Sequence, residues 1–206
     1  MFGLFRKRTK GLIGYFKLDS WWNSTFSERE RKYICKKYQP LGFSPSALTK
    51  DNITSTSQGV TTFLSSLASW FHSPNELPIA EKILKKAEEM SMQGHKNVSD
   101  AHFVYMEKIK VFYKQRDKNT KALDLAIEAC KQQISIAPKV AQSFKRKWKD
   151  DELPSHTGFE QLAIIYDKQK RYKEAIDVCQ QASKQGWTGT WEKRIEKYEK
   201  KLKMNS

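Results

Sequence analysis

The chain has 206 residues, of which 38% are apolar and 12% aromatic, with only 9 Gly and 6 Pro, so its composition excludes a disordered or fibrous protein and suits one or two globular domains. Lys and Arg number 38 against 23 Asp and Glu, which gives a formal net charge of +15. This charge favours acidic partners such as nucleic acid, anionic lipid or an acidic protein surface. The alternative is a basic protein whose charge serves no specific partner.

The first zone, residues 1–38, is an aromatic and basic head. Asp19 or Ser20 caps a short turn, and Ser27 with Glu30 forms a capping box that opens a second helix, ending at about Tyr38. We expect the aromatic side chains to fold back onto the helical body, because large rings are poor candidates for free exposure. In the alternative, the first apolar and basic residues lie on an anionic membrane surface. The aromatic residues are Phe2, Phe5, Tyr15, Phe16, Trp21, Trp22, Phe26, Tyr33 and Tyr38.

The second zone, residues 39–59, is predicted to be a linker or an ordered loop. Two prolines, two glycines and many Ser, Thr and Asn residues interrupt any helical period,. The segment is therefore the best candidate for a linker. It could instead be an ordered loop on the helical body, because it contains four apolar anchors that a free linker would not need. The anchors are Leu41, Phe43, Leu48 and Ile53.

The third zone, residues 60–206, is a helical body. Apolar residues recur there at spacings of three and four, and caps or prolines separate the helices. Pro78 falls in the first turn of the second helix, and Pro138 is expected to stop the fourth. The expected helices are one around 60–71, one around 79–90, one from Ser99 or Asp100 to about Arg116, one from Thr120 to Pro138, one from Val140 to about Lys149, and three over 157–169, 172–185 and 189–203.

No segment alternates apolar and polar β-branched residues next to a hairpin turn, so the sequence predicts no strand. The fold class that follows is all-α, built from antiparallel helical hairpins.

Residues 159–187 carry a more specific pattern. Phe159, Leu162, Ala163 and Tyr166 mark the first helix of a pair, and Tyr172 lies at the turn. The second helix continues with Ala175, Ile176, Cys179 and Ala182. This stretch resembles a tetratricopeptide repeat, a helix-turn-helix unit of about 34 residues. The small alanines let the two helices approach closely, and the tyrosines fill the groove between them.

The resemblance implies an irregular, right-handed array with its best repeat at 156–189. A weaker copy upstream ends at Pro138, and an extra helix around Phe144 and Trp148 separates the two copies. The last helix, 189–203, has one narrow apolar stripe and is otherwise charged, which is typical of a capping helix.

The same resemblance implies a module that binds a protein or peptide rather than an enzyme. The set of Lys and Asn residues with which many such repeats hold an acidic C-terminal tail is missing here, so a groove of mixed polarity is expected. The candidate partner-binding residues are Glu160, Gln161, Ile164, Asp167, Lys168, Lys108 and Lys114.

The second hypothesis is nucleic-acid binding. Clusters of basic residues, with the aromatic residues of the head, suit phosphate neutralisation and base stacking, although no nucleic-acid motif is present. The candidate anion-binding residues are Arg6, Lys7, Arg8, Lys145, Arg146 and Lys147.

Nothing in the sequence indicates catalysis, a metal or a cofactor. The four histidines are scattered, and no hydrolase, zinc-protease or nucleotide-binding motif occurs,. His95 and His102 are expected in a loop and on a helix surface. The three cysteines are widely separated, as in a reducing compartment, so we expect a cytoplasmic protein without a membrane span,. The sequence leaves its oligomeric state open.

Overall fold

A computed structural model describes residues 9–93, 98–149 and 151–205 of the chain. The described part is predominantly helical, which confirms the all-α prediction. Its α-helices are α1 Gly11–Tyr15, α2 Asp19–Thr25, α3 Glu28–Lys37, α4 Val60–Ser69, α5 Leu77–Gln93, α6 Val98–Tyr113, α7 Thr120–Lys147, α8 Thr157–Lys168, α9 Tyr172–Gln185 and α10 Trp191–Met204. A single turn of 3₁₀ helix, Pro74–Glu76, precedes α5.

Helix α7 corrects the prediction that Pro138 ends the fourth helix. It runs unbroken from Thr120 to Lys147, so the expected fifth helix from Val140 is its second half. The proline ring lies on the exposed side, whereas the buried face continues past it through Ala137 and Val140. A proline inside a helix costs about 3 kcal/mol, and the apolar packing on both sides of Pro138 offsets that cost.

Two short strands correct the prediction that the chain has none. β1 Leu153–Ser155 and β2 Trp187–Thr188 pair in parallel, with Leu153 opposite Trp187. The hydroxyl of Thr188 also donates a hydrogen bond to the carbonyl of Leu153. Strands of two or three residues cannot show an alternating pattern in the sequence. They form because β1 precedes α8 and β2 follows α9, and the hairpin of these two helices brings the strands together.

The helices of the body pack in chain order as hairpins. The pairs α4–α5, α6–α7 and α8–α9 lie in contact, and α10 packs on α9. In addition α4 contacts α6, and α6 contacts α8, so alternate helices lie side by side. Because α7 reaches Lys147 as one helix and itself contacts α8, no extra helix separates the second hairpin from the third, contrary to the prediction.

The described part of the head folds back onto the body, as predicted, although Tyr15 and Tyr33 are exposed. Phe2 and Phe5 lie outside the described residues. Leu12, Trp22, Phe26 and Ile34 are buried in one core cluster with the apolar faces of α4 and α5. The capping box of Ser27 and Glu30 opens α3 as expected. In the segment 39–59, Ala47 and Leu48 are buried, and their carbonyls accept hydrogen bonds from the first turn of α1. Of the other predicted anchors Ile53 is half-buried, whereas Leu41 and Phe43 are exposed, contrary to the prediction.

A buried carboxylate fastens the head to the body. Glu76, at the end of the 3₁₀ turn, accepts hydrogen bonds from Tyr33 and Lys37 of α3 and from the backbone of Ser73. Burial by itself raises the pKa of Glu76, but these bonds outweigh it and bring the pKa down to about 2. A charged Glu76 is therefore part of the folded structure at neutral pH.

Candidate functional site

The side-by-side packing of α4, α6 and α8 creates one surface that the odd-numbered helices do not cover. On α6 one face is exposed or half-buried, and it carries Phe103, Glu107 and Lys110 at spacings of three and four residues,. The opposite face of α6 lies in the core. We call this surface the even-helix face. Its members are Thr62, Ser65, Ser66 and Ser69 of α4, Phe103, Glu107 and Lys110 of α6 with Lys114 directly after it, and Glu160, Gln161, Ile164 and Lys168 of α8.

Between α4 and α6 this face contains a groove of about 400 Å³, a volume within the range of about 300–1,000 Å³ typical of ligand sites. Phe103 lies at its edge with 49% of its surface exposed, which is high for an aromatic side chain,. The residues that line it are Thr61, Thr62, Ser65, Ser66, Asp100, Phe103, Val104, Met106 and Glu107. The groove therefore combines hydroxyl groups on one wall with apolar and acidic side chains on the other.

The electrostatics of the groove run against the charge of the whole chain. Two of its described lining residues are carboxylates and none is a lysine or arginine, although the chain has 38 basic residues. Within the described part of the chain Glu107 forms no ion pair, and burial raises its pKa, an effect that Lys110 only partly offsets. A carboxylate that loses water without gaining a partner is costly, so this position favours an incoming cation.

At the opposite end of α6, a notch of about 250 Å³ lies between α6 and α8. The guanidinium of Arg116 stacks 4.0 Å from the centre of the Tyr113 ring, and the Lys168 ammonium lies 5.9 Å from the same ring. Lys114, the first residue after α6, is also exposed. The even-helix face is thus acidic near the start of α6 and basic near its end.

The structure brings together five of the seven residues predicted to bind a partner. The five on the even-helix face are Lys114, Glu160, Gln161, Ile164 and Lys168. They are exposed or half-buried on neighbouring helices, as a contact surface requires.

The other two point elsewhere and already have partners. Lys108 binds Glu88 of α5 at 2.8 Å and Gln132 of α7 at 3.2 Å, so it lies at the junction of α5, α6 and α7. Asp167 binds Lys201 and, at 3.4 Å, Lys197 of α10, which fastens the last helix to α8.

The predicted anion-binding residues fall in two groups. Arg6, Lys7 and Arg8 lie outside the described residues. Lys145, Arg146 and Lys147 are exposed in the last turn of α7, where positive charge also complements the helix dipole,. Beside them Trp148 is 43% exposed, with the Lys147 ammonium 4.8 Å from its ring centre.

A pair of buried histidines was missed by the sequence prediction, which expected His102 on a helix surface. His102 is 4% exposed and His156 is fully buried, with their ring centres 5.0 Å apart. The Trp187 ring stacks on His102, and the Nδ1 atom of His156 accepts a hydrogen bond from the backbone of Phe159 at the start of α8. The signal was present, since His102 continues the apolar spacing of Tyr105, Ile109 and Phe112.

The described residues contain no group of three or more His, Cys, Asp or Glu side chains placed to hold a metal ion. Over the same ranges, none of the helices combines the length and apolarity that crossing a bilayer demands. Comparison of the chain with protein-family models, with curated proteins and with solved structures gave no match.

Proposed function

We propose that this chain is a non-enzymatic interaction module of tetratricopeptide-like architecture that binds a protein or peptide on its even-helix face. The observation that carries the proposal is the contact of α4 with α6 and of α6 with α8, which joins the uncovered faces of three helices into one surface. In arrays of helical hairpins such a surface is where extended partners bind.

The chemistry of the even-helix face supports this function. Phe103 supplies an exposed aromatic side chain beside a groove, and aromatic residues are enriched in the cores of protein interfaces,. Polar residues of α4 and α8 surround it and can form the rim. The salt bridges from Asp167 to α10 hold the last helix against the array, in agreement with a capping role.

The second candidate function is nucleic-acid binding, and the observation that favours it is the cluster at the end of α7. Lys145, Arg146 and Lys147 are exposed together with the half-exposed ring of Trp148. Phosphate contacts with base stacking on an aromatic ring are the usual means of binding single strands. This cluster adjoins the even-helix face, because the Trp148 ring lies 5.1 Å from that of Phe144, and the Phe144 ring lies 6.5 Å from that of Phe103. Nuclease treatment therefore distinguishes the two functions.

We propose the cytoplasm as the location. Cys130 and Cys179 are buried and unpaired in the helical core, and they behave there as small apolar residues,. Free thiols of this kind are usual in a reducing compartment.

Site-specific photo-cross-linking in cells that produce the full chain tests the proposal. A photo-reactive phenylalanine analogue replaces Phe103 in one variant and the exposed Lys85 of α5 in a control. Partner binding on the even-helix face predicts discrete protein adducts from position 103 that survive nuclease treatment and are absent from position 85. Equal adducts from both positions would refute the proposal. Adducts that disappear with nuclease would support the second candidate instead.

A further inference from the structure

The groove between α4 and α6 indicates which kind of partner the even-helix face binds. We infer that this groove binds a cationic segment, and specifically an arginine side chain flanked by apolar residues, in a peptide or protein partner. The inference rests on the proposed function, because it names the kind of partner that the even-helix face selects.

The first step is the placement of negative charge. Glu107 and Asp100 both line the groove, about two helical turns apart on α6, and none of the lining residues that the structure describes is a lysine or arginine,. Glu107 is half-buried and has no ion-pair partner within the described residues. A bound guanidinium would donate hydrogen bonds to this carboxylate and so replace the water that burial has removed from it.

The second step is the shape of the surrounding surface. The exposed ring of Phe103, four residues before Glu107, lies on the same side of α6,. A guanidinium is planar and weakly hydrated, so it can stack on an aromatic face while it binds a carboxylate, whereas a compact ammonium is less suited to both. Met106 and Val104 provide apolar surface for the residues that flank the arginine,.

Helix α4 forms the opposite wall of the groove. Thr62, Ser65 and Ser66 of α4 present hydroxyl groups, which can accept the remaining guanidinium N–H bonds or bind the backbone of the segment,. The groove thus offers a carboxylate, an aromatic ring and neutral acceptors within one volume of about 400 Å³.

This preference is opposite to the one that the net charge of +15 suggests. Long-range repulsion by the whole chain weakens the approach of any cationic peptide, most strongly at low salt. A preference for arginine over a neutral side chain of the same shape is therefore the signature of a local acidic site rather than of overall charge.

The experiment uses three fluorescein-labelled peptides with the full chain and measures fluorescence anisotropy. The first repeats Leu-Ala-Arg, the second replaces each arginine with citrulline, which has the same shape without the charge, and the third replaces it with glutamate. We expect the arginine peptide to bind about tenfold or more tightly than the citrulline peptide, as a charge-assisted hydrogen bond predicts.

Matched variants locate the binding. Glu107→Gln should weaken the arginine peptide about tenfold or more and leave the citrulline peptide unchanged. Glu199→Gln removes the same charge from the exposed surface of α10 and should change neither. Phe103→Ala should weaken both peptides, because it removes the stacking surface.

The inference is overturned by equal binding of the arginine and citrulline peptides, by tighter binding of the glutamate peptide, or by equal effects of Glu107→Gln and Glu199→Gln. Absence of measurable binding of the arginine peptide also overturns it. The proposed function survives each of these results if position 103 still cross-links to a protein partner, so the two failures are distinguishable.

Discussion

Two buried histidines make the stability of the folded chain depend on pH above the range in which most carboxylates titrate. Loss of solvation by burial lowers the pKa of His102 from 6.5 to about 4. Burial, together with the nearby His102, lowers the pKa of His156 from 6.5 to about 3. Both rings are neutral in the folded chain, and they bind protons in mildly acidic solution only when the chain unfolds.

The sign and size of the effect follow from that difference. Because both pKa values are lower in the folded chain, the histidines do not reduce the free energy of unfolding above about pH 7. The free energy of unfolding declines as the pH falls from about 6.5 towards the pKa values of the folded chain. At about pH 5 the medium lies about 1.5 pH units below the unfolded pKa, which corresponds to about 2 kcal/mol for each histidine. Together they remove about 4 kcal/mol, a large part of the 5–15 kcal/mol that stabilises a typical domain.

The assay is equilibrium urea unfolding followed by tryptophan fluorescence at about pH 7 and about pH 5. In His156→Asn the amide oxygen can still accept the hydrogen bond from Phe159, so the start of α8 keeps its cap,. The pH-dependent loss should fall from about 4 to about 2 kcal/mol in this variant. His72→Asn changes an exposed histidine and should leave the loss as it is in the unmodified chain.

The reasoning fails if the unmodified chain loses less than about 1 kcal/mol between these two pH values. It fails equally if the loss stays at its full size in a variant that lacks both buried histidines. Comparing losses between two pH values, rather than stabilities at one, separates titration from any packing defect that a substitution introduces.

Three further changes test the contacts that hold the array together. Gly11 has a φ of +63°, and a Cβ there would lie 2.4 Å from the backbone nitrogen of Thr49. Gly11→Ala should therefore lower the free energy of unfolding by about 3 kcal/mol or more. As a control, Gly59→Ala adds a Cβ in open space and should change the free energy of unfolding by less than about 1 kcal/mol,. Glu76→Gln should cost about 3 kcal/mol in urea unfolding, since it leaves Lys37 without its buried partner,; an unchanged midpoint would contradict the proposed attachment of the head. Asp167→Asn should lower the free energy of unfolding by only about 1 kcal/mol, because Lys197 and Lys201 are partly exposed,. In this variant amide hydrogen exchange should increase in α10 before the other helices, and an equal increase in all helices would contradict the prediction.

Local chemistry was enough to predict much of the helical framework. The Ser27–Glu30 capping box and the bounds of α9 depend on neighbouring residues alone, so the sequence predicts them closely,. Pro138 shows where such reasoning fails, because local propensity predicts a stop and only packing on both sides keeps α7 continuous. The strand pair depends on two segments 34 residues apart at Leu153 and Trp187, and neither carries a signal by itself.

The candidate site also combines features that the sequence predicts with features that only the tertiary structure decides. The sequence by itself determined the all-α class, the positions of most helices and the net charge, because apolar periodicity and caps act over one or two turns. Only the tertiary structure decided that Phe103 and Glu107 share a groove with α4, that Lys108 and Asp167 are occupied in ion pairs, and that His102 meets His156 in the core. These relations join residues on different helices, and the side-by-side packing that creates them depends on the fit of whole helix faces rather than on any local pattern.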